Sequence, residues 1–128
     1  MLTVLHQPRA AYHLLRLSVA AMMLLHGIAK IIHGIGGIES RVVALGLPAP
    51  FAYAVYIGEV VAPLLLIANV WVQPAALVMA VNMVFAVVLA HAGDVFALRR
   101  GAWAIELQAL FLVGSLAVAL MARPGQRG

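Results

Sequence analysis

Four hydrophobic stretches of this chain are each long enough to cross a lipid bilayer, and three of them contain a charged residue. Lys30, Glu59 and Glu106 are the charged residues of these stretches that are predicted to lie in the same half of the membrane. A charge near the bilayer centre costs roughly 2.5–3.5 kcal/mol on insertion scales. Three unpaired charges would cost about as much as the whole stability of an ordinary domain. We therefore expect them to face one another, or a wet cavity, inside a helix bundle.

The composition is that of a membrane protein. The chain has 128 residues, of which 66% are hydrophobic and only 9% are charged, whereas soluble domains are about half apolar and a quarter charged. A bilayer core about 30 Å thick needs about 20 helical residues per crossing, so four crossings use nearly the whole chain. We predict an all-α fold: one transmembrane four-helix bundle over residues 1–128, without a soluble catalytic domain.

Proline, glycine and polar residues mark the limits of the predicted helices. The four spans are expected at about 11–32, 52–69, 75–91 and 102–121. Pro48 and Pro50 are expected to prevent an earlier start of the second span. Between the first two spans, apolar residues from Ile38 to Leu45 recur at roughly helical spacing. This pattern predicts a short interfacial helix between helices 1 and 2, with an irregular connector as the alternative.

Charge and cysteine content narrow the functional classes. The net charge is +4, but the eight basic residues are spread along the chain, so we expect no nucleic-acid partner. The chain has no cysteine, which removes iron–sulfur ligation and thiolate catalysis.

The orientation in the membrane does not follow from charge. The number of positive charges that flank the predicted spans is the same on the two sides of the membrane, so it does not predict which side faces the cytoplasm. Because Arg16 and His26 interrupt the first apolar run, we interpret it as a retained helix rather than a signal peptide.

Polar residues from all four spans are predicted to lie in the same half of the membrane. At 1.5 Å per residue, Glu59 lies about 3 Å from the midplane and His26 about 6 Å, followed by Glu106 at about 9 Å and Lys30 and His91 at about 12–13 Å. His26 and Lys30 are four residues apart and share a helix face, where Lys30 can pair with a glutamate. We predict that these five side chains form a ligand-binding or proton-handling cluster. The alternative is that they only lock the helices together.

Three other polar or helix-breaking positions bear on this cluster. Arg16 is alone in the opposite half of the membrane and shallow enough to snorkel to the surface. Pro63 removes the amide that would bond the Glu59 carbonyl, which either frees that oxygen for a ligand, water or nearby lysine, or simply kinks the helix. Asn82 lies about 180° around its helix from His91, so one of them is expected to face a neighbouring helix or another copy in a homodimer.

The two bundle histidines raise the question of a bound cofactor. His26 and His91 are suitable haem ligands, but their depths differ by about 7 Å and Lys30 competes for the same space. A metal site of His26, His91 and Glu106 has acceptable ligand types, yet no short motif such as HxxxH supports it. We therefore predict no metal, no haem and no intrinsic cofactor.

Two segments carry a recognisable order of short motifs, RLSVAAMMLLHGIAK in the first span and LGLPAPFAYAVYIGEVVAPLLLIANV across the connector and second span. Their order resembles that of the DoxX-like family of small four-helix membrane proteins over about residues 12–121. The family pattern has an Arg, then Gly-x-x-Lys, a Gly-x-Pro connector and a Glu, which here fall on Arg16, Gly27, Lys30, Gly46 to Pro48, and Glu59. His91 also fits this pattern, whereas Pro63 departs from it.

The resemblance implies a subunit of a membrane redox system, because members resemble subunits of quinone-linked oxidoreductases, including a thiosulfate:quinone type. We expect a quinone in the polar cluster, with Lys30 and His26 donating to a carbonyl oxygen and Glu59 or Glu106 handling its proton. A protein partner and the bacterial cytoplasmic (inner) membrane are expected as well. The alternatives are a non-catalytic scaffold or assembly factor for a partner enzyme, and a small dimeric transporter or channel.

Overall fold

A computed structural model describes residues 2–90, 92–94, 96–99 and 101–122. A helical turn at Leu2–Leu5 precedes the main helices. These are α1 (Pro8–His33), α2 (Gly36–Ala44), α3 (Ala49–Ala68), α4 (Val72–Ala90) and α5 (Glu106–Met121). Between α4 and α5 lie a short 3-10 turn at Ala92–Asp94 and two antiparallel strands, β1 (Leu98–Arg99) and β2 (Ala102–Trp103).

The helices begin where proline is tolerated. Pro8 is the first residue of α1, a position where the missing N–H leaves no bond unmade. The sequence predicts that Pro50 delays the second span to residue 52, but α3 begins at Ala49 as a 3-10 turn that includes Pro50. Proline fits here because the N–H groups of the first helical turn have no partner within the helix.

The fourth predicted span begins later than the sequence suggests. The sequence predicts a start at residue 102, whereas α5 begins at Glu106. The difference arises because Ala102–Trp103 pairs with Leu98–Arg99 as a short hairpin instead of joining the helix. The first turn of a helix also favours an acidic residue, since its free N–H groups carry partial positive charge. Glu106 therefore lies at a helix end and not within the span.

The protein is mainly helical, with helices suited to a bilayer. Within the described residues, three helical segments are long and apolar enough to cross it, namely Thr3–His33, Ala49–Ala68 and Val72–Ala90. α5 is also apolar but has only 16 residues, or about 24 Å of helix. The structure thus contains three to four helices that could span a membrane.

The four long helices share one core. α1 packs against the second half of α3 and against α5, while α4 packs against α3 and α5. Each of the four contributes a fully buried side chain, namely Met23, Leu66, Met79 and Val118. α2 lies over one end of this core and is held there by a second apolar cluster around its buried residue Val42. This arrangement places α2 above the end of the bundle where α1 finishes.

Arg16 lies inside the bundle, so the prediction that it snorkels to the surface is wrong. Its side chain is only 6% exposed. The guanidinium donates to the carbonyl oxygens of Leu66 and Ile67 at the end of α3, and its Nη2 lies 3.1 Å from His13 Nδ1. α3 ends because Asn69 adopts a left-handed conformation with φ 61°. The carbonyls at the C-terminal end of a helix carry partial negative charge and attract cations, so they offer Arg16 a nearer partner than the surface does.

We predict that Arg16→Gln lowers the free energy of unfolding by about 1–2 kcal/mol, because it removes charge-assisted hydrogen bonds between α1 and the end of α3. Unfolding by a denaturing detergent in mixed micelles measures this change. Arg9→Gln is the matched control, since Arg9 is exposed at the start of the same helix. Equal stability of the two variants would contradict a structural role for Arg16.

Candidate ligand site inside the helix bundle

An ion pair joins the end of α1 to the middle of α3. Lys30 Nζ donates to both carboxylate oxygens of Glu59, at 2.5 Å to Oε1 and 2.6 Å to Oε2. The side chain of Glu59 is 1% exposed, whereas that of Lys30 is 30% exposed. The Tyr56 hydroxyl also donates to the Lys30 carbonyl oxygen at 3.2 Å. The carboxylate is thus enclosed by protein, while the Lys30 side chain remains partly exposed.

A third helix completes the enclosure of the carboxylate. Asn82 Nδ2, on α4, donates to Glu59 Oε2 at 3.0 Å. Asn82 therefore faces a neighbouring helix of the same chain, and its amide needs no second copy of the protein as partner. The sequence offers a signal for this contact, because Asn82 and Glu59 both lie near the middle of their predicted spans. The sequence does not show how the third predicted span, which is α4, is rotated about its axis. This rotation turns Asn82 toward Glu59.

The backbone of α3 departs from α-helical geometry beside Glu59. Residues Ile57–Val61 form a π-helical turn, and the Ala62 N–H donates to the Ile57 carbonyl. Pro63 has no N–H, so the α-helical bond to the Glu59 carbonyl cannot form. Such π-helical turns are rare and recur at functional sites in other proteins. The Glu59 carbonyl oxygen lies close to Gly27 of α1.

Two glycines allow the helices to approach closely around this turn. A methyl group at Gly27 of α1 would overlap with the Glu59 carbonyl oxygen. A methyl group at Gly58 of α3 would overlap with the side chain of Asn82 on α4. Because the backbones of α1 and α3 are so close, the Lys30 side chain can reach Glu59. The motif Gly-x-x-Lys therefore combines a close helix contact at Gly27 with an ion pair one turn later.

A large cavity lies above this polar cluster. Its volume is about 620 Å³, and every one of the five helices contributes to its lining. Most lining residues are apolar, and Ile38 and Val42 of α2 form part of the wall. Among the residues that the structure describes, the polar ones in the lining are His26, Lys30, Arg41, Glu59, Asn82 and Gln108. The cavity thus combines extensive apolar walls with a few polar groups, as small-molecule sites do.

The cavity reaches the outer surface of the helices. Ile57 of α3 and Val81 and Phe85 of α4 line it, yet they are 54%, 55% and 56% exposed. Residues that are both cavity wall and outer surface mark an opening along α3 and α4. The side chains around this opening are apolar, like the interior of a bilayer.

The structure brings together three of the five residues in the predicted cluster. His26 lines the same cavity as Lys30 and Glu59, and its ring packs edge-on against Phe111 with centroids 5.5 Å apart. The Glu106 side chain is exposed at the start of α5 and does not line the cavity. His91 lies outside the described residues. Within those residues, no group of three His, Cys, Asp or Glu side chains is arranged to hold a metal ion.

The family of this chain follows from a comparison with known families. The DoxX family model matches residues 11–92, which is more than half of the chain. The chain belongs to the DoxX family. The matched region runs from α1 to the end of α4, so it contains Arg16, Lys30, Glu59 and Asn82, whereas α5 lies beyond it. No curated protein and no solved structure shows a significant match to this DoxX-family chain.

We predict that Gly27→Ala lowers the melting temperature, because the new methyl group pushes α1 away from the Glu59 carbonyl and stretches the Lys30–Glu59 bond. Overpacking of this kind typically costs about 1–3 kcal/mol. Thermal unfolding in mild detergent measures the effect. Gly37→Ala is the control, since a methyl group there meets no atom within 4 Å. Equal melting temperatures for the two variants would contradict the close approach of α1 and α3.

We predict that Lys30 and Glu59 are energetically coupled. Lys30→Met leaves a buried carboxylate unpaired, and Glu59→Gln leaves an ammonium without its counter-charge. Each single change should cost about 1–3 kcal/mol, after allowance for the partial exposure of Lys30. The double variant should cost less than the sum of the two, as measured by detergent-induced unfolding in a double-mutant cycle. Simple additivity would show that the pair contributes nothing as a pair.

Proposed function

We propose that this DoxX-family protein is a subunit of a membrane redox system and binds a quinone in the cavity. In this proposal α1, α3, α4 and α5 cross the bacterial inner membrane as a four-helix bundle, and α2 lies in the interface. The electrons come from a protein partner that carries a redox cofactor. The role of this chain is to bind the quinone and present it to that partner.

The observation that carries the proposal is the difference in exposure within the Lys30–Glu59 pair, in which Glu59 is buried and Lys30 is partly exposed. An ammonium has three N–H donors, and two bonds run to the carboxylate of Glu59. The Lys30 side chain lines the cavity and is 30% exposed, which supports a third acceptor on the cavity side. A quinone carbonyl oxygen is an acceptor without charge, so it can bond Lys30 while the ion pair stays intact. Glu59 orients the ammonium and does not itself contact the ligand.

The size and opening of the cavity also support a quinone. Ligand sites are typically about 300–1,000 Å³ and mostly apolar, and the 620 Å³ cavity lies within that range. The ring would lie near Lys30 and His26, where His26 is a second possible donor. The apolar tail would leave between α3 and α4, past Val81 and Phe85, into the lipid. The site thus suits a ligand that is itself dissolved in the membrane.

A non-catalytic scaffold or assembly factor is the second candidate function. The observation in its favour is that Lys30, Glu59 and Asn82 already bond one another across three helices. A cluster of this kind can stabilise a bundle without binding any ligand. In that case the cavity would be a packing feature beneath α2, and a partner protein would bind the outside of the bundle.

We predict that native mass spectrometry of the gently extracted protein shows a retained quinone. Lys30→Met should lose it because the donor is gone, and Ala86→Phe should lose it because the new ring occupies the cavity that Ala86 lines. Arg9→Gln and Ala21→Phe are the matched controls, since both positions are exposed and lie outside the lining. A retained partner protein without any small molecule, unchanged in Lys30→Met and Ala86→Phe, would contradict quinone binding and favour the scaffold.

A further inference from the structure

The charges that line the cavity do not balance. Lys30 and Glu59 neutralise each other through two short hydrogen bonds. Arg41 also lines the cavity, and the part of the chain that the structure describes gives it no ion pair. Glu59 is the one carboxylate among the described lining residues. Among the described lining residues, Arg41 is therefore the one charge without a partner of opposite sign, which disfavours a cationic ligand.

The position of Arg41 is set by a packed helix. Arg41 lies on α2 beside Val42, which is 3% exposed and packs into the apolar cluster with Ile35 and Ala52. α2 is thereby held over the cavity, with the exposed Arg41 at its rim. The opening between α3 and α4 lies along the apolar wall. A ligand that fits both features has an apolar body and an anionic headgroup.

We propose that Arg41 is a specificity-determining residue that gives the cavity a preference for membrane-soluble organic acids. The carboxylate of such a ligand contacts Arg41 at the rim, and its apolar body lies in the cavity. The planar guanidinium suits this role because it can form two parallel hydrogen bonds to a carboxylate. This inference rests on the proposed function, because it uses the same cavity in which a quinone is proposed to bind. It names a second class of ligand, amphiphilic carboxylates, that this cavity binds more tightly than a neutral quinone.

A pair of probes with equal alkyl chains tests the proposal. The probes are a decyl benzoquinone and a 4-decylbenzoic acid, used at a pH where the benzoate is ionised. Their binding to the full-length protein is measured by native mass spectrometry in nanodiscs of zwitterionic phosphatidylcholine. We expect the benzoate to bind about tenfold more tightly than the quinone, since two parallel bonds between a guanidinium and a carboxylate are stronger than the bond from Lys30 to a neutral carbonyl oxygen. Arg41→Gln should abolish this preference and leave quinone binding unchanged, whereas Arg9→Gln should alter neither.

The outcomes separate this inference from the proposed function. Quinone binding without a preference for the benzoate, or a preference that survives Arg41→Gln, overturns the role of Arg41 and leaves the quinone site standing. Binding of neither probe overturns both. If phosphatidylglycerol in the nanodisc competes with the benzoate in an Arg41-dependent way, the natural acid is a lipid headgroup. If the benzoate preference is the same in both lipids, the proposal holds and the natural acid is a free amphiphile.

Discussion

The carboxylate of Glu59 is the group on which the arrangement of the helices depends. A buried charge in an apolar medium persists only when it is paired and hydrogen-bonded, and Glu59 meets this condition through Lys30 on one side and Asn82 on the other. Because the partners belong to α1 and α4, satisfying one side chain fixes the positions of three helices. The same constraint creates the polar end of the cavity, where Lys30 remains partly exposed.

The backbone around Glu59 is adapted to this requirement. Pro63 and the π-helical turn change the path of α3, and Gly27 and Gly58 let α1 and α4 approach it without steric overlap. Ordinary side chains at these two glycines would separate the helices and leave the carboxylate without partners. The irregular turn and the polar cluster therefore form one structural unit, in which the close contacts make the hydrogen bonds possible.

Much of this fold could be predicted from the sequence, because depth in a membrane follows directly from position along an apolar helix. That reasoning predicts the helical segments, and it places Lys30 and Glu59 in the same half of the bilayer, where they pair. Helix rotation does not follow from depth, so the bond between Asn82 and Glu59 was missed. The prediction that Arg16 snorkels to the surface is wrong for a similar reason. Its partners are backbone carbonyls at the end of α3, and the pattern of apolar and polar residues does not show where these carbonyls lie. Glu106 was placed inside a span because a two-residue strand pairing leaves almost no sequence signal.

The π-helical turn has a consequence for aligning relatives of this protein. A π turn takes more residues than an α turn, so the two halves of α3 are out of phase by about one position. A single helical wheel drawn through Ala49–Ala68 would assign wrong faces to the residues on one side of Ile57–Val61. A relative whose helix is regular at this point is expected to be one residue shorter there. A one-residue gap in the middle of this span would then mark a real structural difference within the family.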